Sequence, residues 1–396
     1  MSAIQHSTRV GIIGGGPAGL MLSHLLSRAG IDNLVVEGRD RESIHNTHRA
    51  GILESGSVAM LRESGVDGRI DTLGDEHSGI DLRFGGESHL LDFRELVDAT
   101  VTLYAQNEVF LDLSLARERD GGEVYYEATV DELFDVTSER PGFAFTDKEG
   151  ARHEVRADLI VGADGSRSFT RRWIPEEART NYTMEYPFAW FGILTEAPKS
   201  SPELIYARSD RGFALISQRS ETVQRMYFQC SPETDVNEWS EERIWEELQA
   251  RVAGPDGLEL KTGPIFEKMV LPFRSFVRTP LRYGNLFLAG DAGHTVPPTG
   301  AKGLNLAFAD VKVLFEAIDS WNATGSKALL DAYSDTALKR VWKAQHFSYW
   351  MTSMLHTRAD ATPFENARTL GELESVVSSE HGKRYLAEAY TGWPHA

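Results

Sequence analysis

A mixed α/β (α+β) architecture is predicted for this chain of 396 residues: a parallel sheet, interrupted by an inserted, mostly antiparallel β-sheet and completed by C-terminal helices. Three observations predict it. A β-branched run near the N-terminus breaks into glycines and then into a helical repeat, two later apolar runs end in Gly and Asp, and the stretch between those two runs is rich in aromatic β segments. The length suits about two domains of roughly 100–200 residues each.

The first element lies in VGIIGGGPAG, residues 10–19. Val10, Ile12 and Ile13 make the short apolar run of a strand buried on both faces of a parallel sheet. Gly14, Gly16 and Gly19 follow at G-x-G-x-x-G spacing, and Leu22, Leu25, Leu26 and Ala29 then share one helical face until Gly30 stops the helix. A second run, Leu34 to Val36, ends in Glu37, about 20 residues beyond the glycines, where a carboxylate can take a ribose hydroxyl. Glycines let the backbone turn tightly and approach a pyrophosphate, and the helix N-terminus adds unpaired N–H donors and a positive dipole end. The unit predicts a Rossmann-like, dinucleotide-binding domain. A secretion signal or membrane span is disfavoured, because the uncharged stretch from Val10 to Ser27 is broken by Gly, Pro and His24.

Two further strands end in glycine and aspartate: Leu159 to Gly162 before Ala163, Asp164 and Gly165, and Leu286 to Leu288 before Ala289, Gly290 and Asp291. The second continues through PPTGAKG into Leu304, Ala307, Phe308, Val311, Leu314 and Ile318, the apolar face of a long helix. Each site alone is compatible with an ordinary turn. Together with residues 10–37 they point to one extended dinucleotide touched at three places.

Between the second and third sites, Tyr186 to Leu194, Glu203 to Ala207, Phe213 to Ser217 and Arg225 to Cys230 read as strands of an antiparallel sheet. Ser217 and Arg219 share one strand face, as do Arg225 and Tyr227. A turn centred on Thr222 would set Arg219 opposite Arg225 and Ser217 opposite Tyr227. Two guanidiniums and two hydroxyls on one face would cradle an anion; an exposed hairpin with solvated arginines is the plainer alternative.

The bulk composition excludes several classes. With 59 acidic against 41 basic residues the formal charge is −18, which disfavours nucleic acid and anionic membranes, so an anionic ligand must meet locally placed arginines. Cys230 is the only cysteine, which excludes an intramolecular disulfide, a CxxC redox pair and a thiolate metal cluster, and fits a cytoplasmic setting. No metal-ligand spacing is present.

On these residues the chain resembles the group A flavoprotein aromatic hydroxylases. Residues 10–37, ADG at 163–165 and GDAGH at 290–294 look like that family's three flavin fingerprints. RAGILESG at 49–56, RGFALISQRS at 211–220, PPTGAKGLNLA at 297–307 and WKAQHFSYWMTSMLH at 342–356 carry the likeness through essentially the whole chain. The resemblance implies FAD as cofactor, NADH or NADPH as reductant and O2 as co-substrate. It implies hydroxylation of 4-hydroxybenzoate to 3,4-dihydroxybenzoate by way of a flavin C4a-hydroperoxide, in a homodimer without nucleic-acid or membrane partners. Residues 1–180 then hold the first part of the FAD-binding domain with some substrate-side segments, 181–275 the β-rich substrate domain, and 276–396 the completion of the FAD-binding domain and a helical interface region.

Residue by residue, the resemblance assigns Gly14, Gly16, Gly19, Glu37, Arg49, Gln106, Asp164, Asp291, Leu304 and Asn305 to FAD. Ser217, Arg219 and Tyr227 match residues that hold the substrate carboxylate, and Arg225 one that positions flavin and substrate. Tyr206 is implied against the phenol oxygen, Tyr390 behind it, His77 at the solvent end of a proton relay, Pro298 beside the substrate hydroxyl and Trp190 at the pocket side. Such a relay is useful because a phenolate ring attacks electrophilic oxygen more readily than a phenol, and a histidine can pass the proton outward near neutral pH.

The match loosens at three places. Ala18 stands where the family often has a serine in the glycine loop, and Gly38 and Thr47 stand where NADPH-preferring members carry arginines. Arg39 and Arg41 are the remaining candidates for a 2′-phosphate. NADH is therefore expected to be accepted, with the preference between the two reductants open. The rival readings are a hydroxylase for another aromatic acid, an FAD reductase that needs no oxygen, and a binding module with structural FAD.

Overall fold

The computed structural model describes residues 3–47, 51–66 and 68–393; Arg49 lies outside them. Five parallel strands and one antiparallel edge form the first sheet, in the order Arg282–Tyr283, Leu286–Leu288, Leu159–Gly162, Val10–Ile13, Asn33–Val36 and Glu123–Tyr125. Its inner strands are almost wholly buried, as their unbroken apolar runs require. Helices Pro17–Arg28, Gln106–Arg119 and Gly303–Thr324 pack together against it.

Glycine is required at two of the early positions. Gly14 has φ +111°, and a Cβ there would lie 2.3 Å from the Ala163 carbonyl oxygen. A Cβ on Gly19 would lie 1.9 Å from the Gly14 oxygen, so only glycine lets the helix start this close to the strand end.

The second sheet runs His294–Thr295, Ile265–Thr279, Thr180–Glu196, Val223–Cys230, Gly212–Gln218, Leu204–Ser209, Gly79–Phe84 and Glu87–Asp92. All neighbours are antiparallel except Leu204–Ser209 beside Gly79–Phe84. The four sequence-predicted strands are all present. The hairpin register differs by two residues from the expected one: Ser217 faces Arg225 and Leu215 faces Tyr227. Arg219 N donates to Val223 O, which closes the turn around Glu221 instead of Thr222. A slip of two keeps every side chain on its face, so the four polar residues still share one side.

A smaller three-stranded sheet, Ile52–Glu54, Val101–Leu103 and Asp75–His77, bridges the two. Long helices Gly303–Thr324 and Ala328–Leu355 pack against each other, and the C-terminal pair Pro363–Val377 and Glu380–Thr391 brings Tyr390 into the core of the second sheet. Among the described residues no helix is long and apolar enough to cross a membrane.

Candidate functional site

The parallel strands end at a cavity of about 630 Å3, lined by Gly16, Pro17, Ala18, Glu37, Gln106, Asn107, Asp164, Asp291, Leu304 and neighbours. This is the crevice beyond the carboxyl ends of a parallel sheet, where such folds bind ligands. Two helices, beginning at Pro17 and Gly303, open onto it. In the second, the first intrahelical bond is Leu306 N to Lys302 O, so the N–H groups of 303–305 precede the helical ladder. A Cβ on Gly16 or Gly303 would meet nothing within 4 Å, which leaves room for a ligand against bare backbone. Glu37 is held by the N–H groups of Gly15 at 2.8 Å and Arg39 at 2.9 Å. Bare helix starts and a fixed acid at the next strand end fit a dinucleotide.

Two expected contacts are used differently. The Asp164 carboxylate accepts from Phe169 N, Thr170 N and Thr170 Oγ1, so it fixes the following turn while lining the cavity. Asn305 is not part of the cavity wall; its amide accepts from Glu54 N and Ser57 Oγ and donates to the Ile52 and Ala301 carbonyls. Its side chain ties the small sheet to the helix start and leaves only the backbone N–H for a ligand.

A second cavity of about 510 Å3 adjoins the first through Thr47, Gln106, Ser166, Asp291, Gly303 and Leu304. Trp190, Tyr206, Ser217, Arg219, Arg225, Tyr227 and Pro298 all line it. One row of the sheet crosses its floor: Met269, Gly192, Tyr227, Leu215, Tyr206 and Leu82 are successive direct neighbours. A Cβ on Gly192 would come within 2.7 Å of the Tyr227 ring, so this glycine makes space for that tyrosine.

At the Tyr227 side two guanidiniums keep open donors. Arg225 is buried, and its Nε and one terminal nitrogen have no hydrogen-bond partner. Arg219 gives one nitrogen to Asn107 Oδ1 at 3.0 Å and leaves the other buried and unpartnered. Burial and then the Arg225 charge pull the Arg219 guanidinium below its ordinary range. Unpaired buried donors on this scale are costly unless a ligand completes them. Ser217 Oγ donates to the Arg225 carbonyl at 2.8 Å.

Two strands away, Tyr206 Oη lies 2.7 Å from Tyr390 Oη, both rings buried. Burial raises both phenols above their ordinary range, so both stay protonated at neutral pH. His77 differs from its expected place at the solvent end: it is buried, with Nδ1 2.7 Å from Glu203 and Nε2 3.1 Å from Asp75. Asp75 and its partner Lys199 form the half-exposed end.

Several residues escaped sequence reasoning. Lys302, inside the quoted PPTGAKG, is buried and bonded to Glu54 Oε1 at 2.6 Å and Tyr390 O at 2.9 Å. His356 accepts the Trp190 indole N–H, and Glu203 joins His77. Asn107 meets Arg219. In all four cases a partner more than 100 residues away leaves no local pattern to read.

Residues 7–348 match the family model described as FAD binding domain. The chain is 42% identical to the p-hydroxybenzoate hydroxylase of Acinetobacter baylyi over 98% of this chain and 96% of that one. It is 26% identical to the 3-(3-hydroxy-phenyl)propionate/3-hydroxycinnamic acid hydroxylase of Klebsiella pneumoniae, over 84% of this chain and 59% of that one. The fold is similar to that of p-nitrophenol 4-monooxygenase from Pseudomonas putida, with TM-score 0.79 and 20% identity, covering 99% of this chain and 100% of that one.

Proposed function

Because the chain belongs to the group A flavoprotein aromatic hydroxylases, we propose that it hydroxylates 4-hydroxybenzoate at the 3-position to 3,4-dihydroxybenzoate, with FAD as cofactor, NADH or NADPH as reductant and O2 as co-substrate. When bound, FAD supplies hydride acceptance from the reductant and transfer of one oxygen atom from O2 to the ring.

The observation that carries the substrate is the row across the second cavity. Tyr227, next to the open donors of Arg225 and Arg219, and Tyr206, bonded to Tyr390, stand two strands apart on one face, a span of about 10 Å. That separation suits a benzene ring with a carboxylate at one end and a para hydroxyl at the other, once hydrogen bonds are added. Arg219 and Arg225 take the carboxylate, with Ser217 and Tyr227 beside it. Tyr206 faces the phenol and hands its proton to Tyr390 Oη, while Pro298 and Trp190 wall off water. His77, between Glu203 and Asp75, marks the exit of that proton toward the surface.

For the cofactor, Gly14, Gly16 and Gly19 shape the pyrophosphate turn and Glu37 takes a ribose hydroxyl. Gln106, Asp164, Asp291, Leu304 and the Asn305 N–H complete the seat, and the resemblance assigns Arg49 to the cofactor as well. The N-terminal dipole at Gly303 favours negative charge on the reduced ring. The same resemblance supports a homodimer and the division at residues 180 and 275, and the single cysteine supports a cytoplasmic location.

Following NADH and NADPH oxidation with and without 4-hydroxybenzoate, and identifying the aromatic product by chromatography, tests this reading. Stimulated oxidation with 3,4-dihydroxybenzoate formed is the expected result. Oxidation without a hydroxylated product would assign the cavity to another ligand.

A further inference from the structure

Asn107 occupies the second position of helix Gln106–Arg119 and is almost fully buried. It lines the dinucleotide cavity, and its Oδ1 accepts at 3.0 Å from Arg219, which lines the neighbouring one. Its Nδ2 donates to Glu108 Oε1 at 3.2 Å. Glu108 is in turn paired with Arg69, which also bonds Asp112, so the amide is anchored from behind.

An uncharged acceptor at this point has a specific chemical effect. A carboxylate in its place would pair with Arg219 permanently and cancel the charge a ligand needs. An apolar side chain would leave the guanidinium unaimed, with a second nitrogen unpartnered beside the one already so. The amide fixes the plane of the guanidinium and leaves its positive charge intact.

We propose that Asn107 is the positioning residue for the carboxylate-binding Arg219, holding it aimed into the substrate cavity without neutralising it. This rests on the reading of the second cavity as a hydroxybenzoate site. The adjacent Gln106 lines both cavities, so the same helix start serves cofactor and substrate.

The test uses the FAD-loaded enzyme and variants Asn107→Ala, Asn107→Asp and Arg219→Ala, with 4-hydroxybenzoate binding followed by flavin fluorescence and turnover by reductant oxidation. Asn107→Ala is expected to raise Kd and KM by about 10-fold or more, the worth of one hydrogen bond to a charged group, with kcat within about twofold. Asn107→Asp is expected to raise both further, because it pairs with Arg219. In the Arg219→Ala background, Asn107→Ala should change Kd no further. An Asn107→Ala effect that persists undiminished in that background, or one that lowers kcat while Kd stays constant, would overturn the proposal. So would an Asn107→Ala enzyme that binds as the wild type does. A wild type that binds no 4-hydroxybenzoate would overturn the substrate reading first and this inference with it.

Discussion

The indole N–H of Trp190 donates to Nε2 of His356 across 2.7 Å, 166 residues apart in the chain. The other ring nitrogen lies 2.9 Å from the Thr352 carbonyl, so the imidazole is held neutral, with Nδ1 as donor and Nε2 as acceptor. It stacks between Phe188 and Phe213 at 4.5 and 4.4 Å between ring centroids.

A pH dependence follows. Burial lowers the His356 pKa to about 3, so the unfolded chain binds this proton more tightly than the folded one. The contribution is fully present above the unfolded value of about 6.5 and is lost as pH falls from there toward 3, at about 1.4 kcal/mol per pH unit. Buried His294 has the opposite sign: burial disfavours its charge, but Asp310 at 2.6 Å outweighs that and raises its pKa, so its contribution is lost as pH rises through the folded value. Denaturant unfolding should show stability falling as pH is lowered from 6.5 to 4.5, with a shallower slope in His356→Gln. An unchanged slope would remove His356 from this role.

Tyr206→Phe is expected to lower kcat by about 100-fold or more, the usual scale for a lost acid–base group. The accompanying stability loss should stay near 1 kcal/mol, one hydrogen bond between buried hydroxyls. Tyr390→Phe should behave alike, and the double variant should be no slower than the worse single one, because the two hydroxyls act in series. Steady-state rates on all three variants decide it, and additive losses would argue for separate roles.

The glycines of the first turn divide into two kinds. Gly16 has an ordinary extended backbone with φ −74° and open space at its Cβ, so Gly16→Ala should fold normally and bind FAD more weakly. Gly19→Ala places its Cβ against the Gly14 carbonyl and should fail to fold stably. The ratio of flavin to protein absorbance, measured beside thermal unfolding, separates these outcomes.

Much of this arrangement was legible in the chain. The strand–glycine–helix unit at 10–37 is local, as is the period-2 pattern of the middle sheet, so both appear in the structure at the expected residues. The hairpin register was not legible, because a slip of two preserves every face and the choice rests on the turn at 219–223. The Lys302–Glu54 pair was equally hidden: its partners are brought together only when the helix start, the small sheet and the C-terminal helix meet.

That pair makes a stability prediction. Both residues are buried, and Arg340 lies 3.2 Å from the other Glu54 oxygen. Lys302→Met removes the closest positive charge from a buried carboxylate and should cost about 3–5 kcal/mol. Adding Glu54→Leu should recover most of that loss, since no carboxylate is then left unpaired. A single variant as stable as the wild type would mean that Arg340 alone suffices.

Selection of the reductant turns on the segment after Glu37. Gly38 and Thr47 offer no positive charge, and Arg41 is held by Ser114 at 3.1 Å and Glu118 at 3.0 Å. Arg39 lies 3.6 Å from Glu37 and 3.5 Å from Thr47 Oγ1. Engaging a 2′-phosphate would require either arginine to leave these partners, which favours NADH. The expected result is a kcat/KM with NADH at least equal to that with NADPH. Gly38→Arg combined with Thr47→Arg should shift the ratio toward NADPH by about 10-fold, the scale of one charge-assisted hydrogen bond. A wild type with a strong NADPH preference would show that Arg39 or Arg41 swings free to bind the phosphate.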